Sequence, residues 1–339
     1  MSPRPPVGTQ APPLGRRELL SLLLLAGCAR AAHPAAALAP ESLALDRAAD
    51  LAPAAGLSFL LDARLRELFA SPALIPALAL VLPAARLDAF AMRHGGVDLR
   101  SVQELAIAGY PEATLAIARV VLDPARVERA FIARAFSVEG RALEGPIIRT
   151  WGTVGGSRQQ LAILGHEAVA LEQGRFGPLR AAEYFARRRL KRSRPALRTE
   201  PLAQVAALLG DAPLLAFAPG PFVGGAGRGL AGLLAGATAV GGAATPGERD
   251  PDGAVAFRFV VTGAWGADAP AATDRLRAAF DVLANDPLGR LLGAHRPIEA
   301  PHVSGDAEGV RLDVTLDALL LGKGLSDATG ATMEEVMRF

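Results

Sequence analysis

The stretch ELAIAGYPEATLAIARVVL, residues 104–122, predicts the fold class of this chain most directly. Two apolar runs, Glu104–Ala108 and Thr114–Leu122, flank Tyr110-Pro111-Glu112, and a hairpin turn tolerates proline at such a position. Asp123-Pro124 then opens a helix, because aspartate suits the capping position and proline the first helical position. Strands paired through hairpins form antiparallel ladders. We therefore expect an α+β fold of antiparallel sheet with helices packed on one face.

A second hairpin and two helices extend this prediction. Gly155-Gly156-Ser157 separates the strand-like runs Ile147–Val154 and Gln160–Leu171. The helix that opens after Asp123 is expected to continue to about Val138. Another helix is expected over Gly229–Ala244, where leucines recur on one face and small residues on another.

The same pattern recurs about 150 residues later. Phe131 and Phe280 end similar segments, each after a strand-like run, and lie 149 positions apart. Two further pairs, 151 and 158 positions apart, are Leu161 with Leu312 and Phe59 with Phe217. We interpret this as a diverged tandem duplication, with chance similarity in an Ala- and Leu-rich chain as the competing explanation. The predicted units are residues 51–195 and 196–339, joined near Pro195.

The first residues carry a second pattern. Arg16 and Arg17 precede a short leucine-rich run that ends in Leu25-Ala26-Gly27-Cys28, and the run is too short to cross a bilayer as a helix. This stretch resembles the signal peptide of bacterial lipoproteins, and the resemblance covers about the first thirty residues. A core thiol is the competing explanation for a lone cysteine, and the paired arginines also resemble a loose twin-arginine export signal.

The resemblance implies a lipid anchor. In that family a peptidase cuts before the cysteine, which carries a diacylglyceryl group, and the new amino terminus is acylated. Residues 1–27 would then be removed and Cys28 lipidated, and two or three acyl chains, such as palmitate, anchor a protein lastingly. Ala29 stands where an aspartate retains many lipoproteins at the inner membrane, so the resemblance implies the outer membrane, facing the periplasm. Residues 28–50, rich in Ala and Pro, are expected to form a tether.

The net charge gives little information about binding partners once residues 1–27 are removed. Residues 1–27 contain three of the 36 arginines and lysines and one of the 34 acidic residues, which leaves 33 of each. The mature chain is therefore neutral overall, and no basic bias points to nucleic acid.

One local cluster of basic residues stands out near the predicted joint. It comprises Arg187, Arg188, Arg189, Lys191, Arg192 and Arg194, followed by Arg198. Such a cluster could contact anionic lipid head groups. The competing explanation is a solvated helix end, where cations are favoured by the helix dipole.

Motifs for catalysis, cofactors and metals are weak. Gly227–Gly232 matches the spacing of a dinucleotide fingerprint, but Pro219-Gly220-Pro221 interrupts the required strand-to-helix turn. His166-Glu167 lacks the second histidine of a zinc helix, and Ser157 lacks the flanks of a nucleophile elbow. We therefore assign no catalytic, cofactor or metal residues. The favoured hypothesis is a non-enzymatic, lipid-anchored binding or scaffolding protein of the cell envelope; the alternative is an exported enzyme whose site assembles from distant residues.

Overall fold

The computed structural model describes residues 42–175, 177–189, 193–247 and 253–329. The described strands are β1 Phe59–Ala63, β2 Glu104–Tyr110, β3 Ala113–Arg119, β4 Ala135–Glu144, β5 Ile147–Val154, β6 Ser157–Leu164, β7 Ala168–Gly174, β8 Leu214–Pro219, β9 Ala237–Pro246, β10 Ala254–Gly263, β11 His302–Gly305 and β12 Gly309–Asp317. The described α-helices are α1 Leu65–Ala70, α2 Ile75–Val81, α3 Ala84–Arg93, α4 Pro124–Arg134, α5 Pro178–Ala186, α6 Glu200–Leu209, α7 Ala269–Asn285, α8 Pro287–Leu291 and α9 Ala318–Thr329.

All described strands belong to one antiparallel sheet. Its order is β11-β12-β10-β9-β8-β1-β2-β3-β7-β6-β5-β4. Near the middle of the sheet β1 pairs with β8, and this pair aligns Leu60 with Phe217. The sheet is thus continuous across the predicted joint near Pro195. The expectation of an α+β fold built on antiparallel sheet is confirmed.

The prediction of helices on only one face is wrong. Neighbouring residues of β6 belong to different cores: Ala162 and Leu164 pack with α5 and α6, whereas Leu161 and Ile163 pack with α4. Successive side chains of a strand point to opposite faces, so these strands are apolar on both sides. Helices must therefore cover both faces of the sheet.

Both predicted hairpin turns are confirmed, but the predicted second strand Gln160–Leu171 is wrong as one strand, because the chain turns at residues 165–167 and divides this run between β6 and β7. Tyr110 and Ala113 pair across the first turn. Gly155 and Gly156 connect β5 to β6 with φ of 57° and 83°, the left-handed conformation that a two-residue hairpin requires. The Asp123 cap is also confirmed, because its carboxylate accepts hydrogen bonds from the first turn of α4.

Two predicted helices give way to strands. The helix after Asp123 stops at Arg134, because Ala135 begins β4 and pairs with Val154 of β5. Gly229–Ala244 is not a helix: Gly232 takes a left-handed φ of 81°, and β9 starts at Ala237. Strand pairing satisfies the backbone groups there, and this gain outweighs local helical preference.

The packed body begins upstream of residue 51, inside the segment predicted to be a tether. Leu45, Ala48 and Ala49 are buried, and the Ala48 amide donates to the Glu104 carboxylate over 2.8 Å. Residues 1–41, including Cys28, lie outside the described residues.

No single helix of the described ranges is both long and apolar enough to cross a membrane. The adjacent helices α2 and α3 reach the required length and composition only when taken together, and they are bent by 60° relative to each other.

Candidate functional site

The basic cluster lies beside the first described residues of the chain. The Ala44 amide donates to the Ala186 carbonyl over 2.6 Å, at the end of α5. A few residues later, the Ala54 amide donates to the Arg194 carbonyl over 2.9 Å. The end of the predicted tether and the residues after it therefore contact the predicted joint, although the two segments are far apart in the sequence.

Four arginines of this region have exposed side chains. Arg188 and Arg189 follow α5, and Arg188 has a left-handed φ of 55°. Arg194 and Arg198 follow later in the sequence, after residues 190–192, which the structure does not describe. Lys191 and Arg192 lie outside the described residues. We call Arg188, Arg189, Arg194 and Arg198 the basic joint.

Arg187 faces inward instead. Only 10% of its side chain is exposed, and its Nη2 donates to the Glu144 carbonyl. The Glu144 carboxylate also accepts a hydrogen bond from Nη2 of Arg149. Nη1 of Arg149 lies 3.1 Å from the Glu183 carboxylate. Arg187 therefore belongs to a partly buried ion network on this face of the sheet and not to the basic joint.

Glu183 is the most perturbed acid of this network. Burial raises the pKa of its carboxyl to about 7, against the attraction of Arg180 and Arg187 and with added repulsion from Glu144. A buried carboxylate is costly unless its partners compensate fully. The proton occupancy of Glu183 therefore changes near neutral pH.

A cavity of about 320 Å³ opens at the basic joint. Arg188 and Arg198 line it together with Asp46, Arg47 and Asp50. Arg47 is already engaged, because its Nη2 lies 2.6 Å from the Asp62 carboxylate. The cavity thus joins residues of the predicted tether and the predicted joint, with both signs of charge on its walls.

A second polar cavity, of about 290 Å³, lies over β9, β10 and β12. Its titratable lining residues are Asp211, Arg258, Glu299, His302 and Asp313. Asp313 is held by two arginines, with Arg258 Nε at 2.7 Å and Arg311 Nε at 3.1 Å. Among the described residues, no hydrogen bond connects His302 to a carboxylate.

A third cavity is apolar and lies in the first half, between the sheet and helices α3 and α4. His94 and Arg134 are its polar lining residues, and they contact each other. Sequence reasoning missed this pair because the two residues are forty positions apart and lie at the ends of different helices. The only local signal was Gly95-Gly96, which marks the tight turn after α3.

The other sequence motifs form no site. Gly227–Gly232 lies between and partly within two short 3₁₀ turns, Ala226–Arg228 and Leu233–Gly236, and Ser157 begins β6 after the hairpin turn. No group of three or more His, Cys, Asp or Glu side chains within the described ranges could hold a metal ion.

The comparisons with known proteins do not assign the chain to a family. No family model, no curated protein and no solved structure matches it.

Proposed function

We propose that the chain is a lipid-anchored, non-enzymatic binding protein of the cell envelope, attached through Cys28 and held against anionic head groups by the basic joint. One observation supports this most: the hydrogen bond between Ala44 and Ala186 places the chain that follows the proposed anchor directly beside the basic joint. Ala44, which follows the proposed anchor in the sequence, therefore lies on the side of the body that carries Arg188, Arg189, Arg194 and Arg198.

The length of the tether permits this contact. Cys28 and Ala44 are sixteen positions apart in the sequence, and a fully extended chain of that length spans about 53 to 58 Å at about 3.3 to 3.6 Å per residue. An arginine near an anionic surface contributes on the order of 1 kcal/mol, and the Debye length of about 8 Å confines this gain to residues at the surface. Asp46 and Asp50 line the same cavity and reduce the net charge of the joint. Four exposed arginines nevertheless leave it positive.

The proposed location is the outer membrane, facing the periplasm. It rests on the resemblance of Leu25-Ala26-Gly27-Cys28 to the lipoprotein processing site and on Ala29 after the cysteine.

We also propose that the body consists of two similar tandem units. From β1 outward the sheet runs β2, β3, β7, β6, and from β8 outward it runs β9, β10, β12, β11. In each half a helix containing the matched phenylalanine, Phe131 or Phe280, follows the third strand. The hairpin β4–β5 is then an addition to the first unit. The pairing of Leu161 with Leu312 does not fit this scheme, because β12 occupies the place of β7 and not of β6.

An exported enzyme is the less supported alternative. Its best location would be the polar cavity over β9, β10 and β12, where His302 lies opposite Asp313 in the strand register. A general base needs a carboxylate or imidazole that is available to a substrate proton. Since two arginines already hold Asp313, this arrangement favours a structural ion cluster.

Vesicle sedimentation tests the proposed function. The full chain carrying Cys28→Ser should sediment with vesicles rich in anionic phosphatidylglycerol at low salt and be released at high salt. Changing Arg188, Arg189, Arg194 and Arg198 to Gln should abolish most of this binding, because the attraction is summed over these charges. The matched control changes four exposed arginines of the second half, Arg275, Arg277, Arg290 and Arg296, to Gln.

Two outcomes would contradict the proposal. One is equal sedimentation with neutral phosphatidylcholine vesicles, and the other is an equal loss of binding in the control variant. The anchor is checked in the same strains, where a palmitate analogue should label the unmodified chain and not the Cys28→Ser chain.

A further inference from the structure

The apolar cavity of the first half has the size of a small organic group. Its volume is about 100 Å³, between the share of liquid volume of one water, about 30 Å³, and a cavity of about 150 Å³ that holds benzene. Its walls come from the sheet and from the helices above it, and they are almost entirely apolar. The apolar lining residues are Phe90, Val97, Leu99, Leu105, Ala116, Ala118, Val127, Phe131, Leu161, Val169 and Leu171.

Arg134 lines this cavity, and two hydrogen bonds hold its guanidinium in place. Its Nε donates to the Ala130 carbonyl over 3.3 Å, and its Nη1 lies 2.9 Å from Nε2 of His94. The remaining guanidinium hydrogens have no acceptor among the described residues. A guanidinium presents its donors in a rigid fork that matches a carboxylate.

His94 orients this guanidinium. Its Nδ1 lies 2.9 Å from the Phe90 carbonyl, and its ring stacks on Phe90 with centroids 4.0 Å apart. A carbonyl only accepts, so Nδ1 carries the proton and Nε2 accepts the hydrogen bond from Arg134. The Arg134 guanidinium is the donor in this contact, and it carries a positive charge.

The charge of Arg134 has no counter-ion in the described part of the chain. No described carboxylate forms an ion pair with it, whereas the buried Arg149 contacts two. Burial and the nearby Arg93 both lower the pKa of the Arg134 guanidinium, which reflects a cation without compensation. A guanidinium nevertheless stays protonated in proteins. An anion at this position would satisfy both the charge and the open donors.

The second half has no equivalent site. Its helix α7 packs Leu276 and Phe280 against the sheet, and Trp265 and Leu233 complete that core. The residue three positions after Phe280 is Leu283, whereas the residue three positions after Phe131 is Arg134. The cation and the cavity therefore occur together only in the first half of the described chain.

We propose that this cavity binds a short-chain alkyl carboxylate, with the carboxylate on Arg134 and the alkyl chain among the apolar side chains. At about 30 Å³ per water-sized group, the cavity accepts roughly three or four carbon atoms. Butanoate and pentanoate, with three and four carbon atoms beyond the carboxylate, fit this description. Such a ligand supplies the missing anion and fills apolar space that water would occupy poorly.

Titration of the full Cys28→Ser chain with pentanoate, followed by ¹H–¹³C methyl NMR, tests this site. Pentanoate should shift the methyl signals of Leu105, Val127 and Leu161, while pentanol and acetate, which lack the charge or the chain, should bind at least tenfold more weakly. Arg134→Gln should weaken pentanoate binding at least tenfold. Arg134→Lys should retain part of it, because the charge remains.

Arg129→Gln is the matched control, since Arg129 lies exposed on the same helix and its Nε also donates to the carbonyl four residues earlier. It should bind pentanoate like the parent chain. Equal affinity for pentanoate and pentanol, or undiminished binding in Arg134→Gln, would overturn the proposal. If Arg134→Gln failed to fold, the comparison of pentanoate with pentanol on the parent chain would still decide the outcome.

Discussion

The two halves of the sheet differ in what they bury. Nine polar or charged residues are buried in the described chain, and eight of them lie in the first half, between Asp62 and Glu183. The single one in the second half is Thr262. The buried ionic side chains of the first half are Asp62, Glu128, Arg149, Glu172 and Glu183.

This difference shows that the first half depends more than the second on buried hydrogen bonds and ion pairs. The buried Glu172 carboxylate accepts from the amides of Gly177 and Leu179, at 2.8 and 2.7 Å, and so caps the start of α5 from a neighbouring strand. In the second half, the pair Arg258–Asp313 remains partly exposed. Buried charges are costly and become destabilising when a partner is lost. The first half therefore tolerates substitution of its charges less well than the second.

Removing one buried arginine should have the largest effect on this contrast. Arg149→Leu leaves the Glu183 and Glu144 carboxylates without their central partner, and we expect a loss of about 3 to 5 kcal/mol of unfolding free energy. The matched change Arg258→Leu, at a partly exposed pair, should cost about 0 to 1 kcal/mol. Urea unfolding of both variants measures the difference. Equal costs would remove the distinction between the halves.

A glycine substitution sharpens the contrast in packing. Gly95 and Gly266 both have left-handed φ values, 70° and 50°, so alanine is strained at either position. A Cβ at Gly95 would lie 2.7 Å from backbone atoms of Arg126 and Val127, whereas nothing lies within 4 Å at Gly266. Gly95→Ala should therefore cost about 1 to 3 kcal/mol more than Gly266→Ala. Thermal unfolding compares the two, and identical melting temperatures would contradict close packing at the turn after α3.

The smallest expected effect is a pH dependence that originates in the first half. Burial raises the pKa of Glu183 to about 7, so the folded state holds a proton there that the unfolded state releases above its ordinary pKa of about 4.5. This contribution to stability is fully present below about pH 4.5 and is lost as the pH rises through 7. Burial also raises the pKa of Asp62 and of Glu172, which act in the same direction.

Glu183→Gln should therefore reduce, without abolishing, the fall in stability between pH 5 and 8. The exposed Glu299 of the second half is the control, and Glu299→Gln should leave the slope unchanged. Urea midpoints measured across this range give the slopes. A wild-type stability that increases from pH 5 to 8 would contradict the raised pKa values.

Local chemistry accounts for the part of the fold that sequence could predict. Gly155-Gly156 can adopt two successive left-handed conformations, and the Asp123 carboxylate can cap its own helix, so neither feature needs a distant partner. The turn at Tyr110-Pro111-Glu112 likewise pairs strands that adjoin it. These elements led to the antiparallel sheet and to the α+β class.

Residue order alone determined these hairpins, the capped helix and the alternation of apolar runs, because all are set within a few residues. Only the tertiary structure decided that helices cover both faces, that Ala135 starts a strand, and that Arg187 turns inward to Glu144. It alone placed His94 against Arg134 and Ala44 against Ala186. The reason is physical: such contacts depend on which distant strand or helix satisfies a backbone group or a charge, and that choice is made by the packing of the whole sheet.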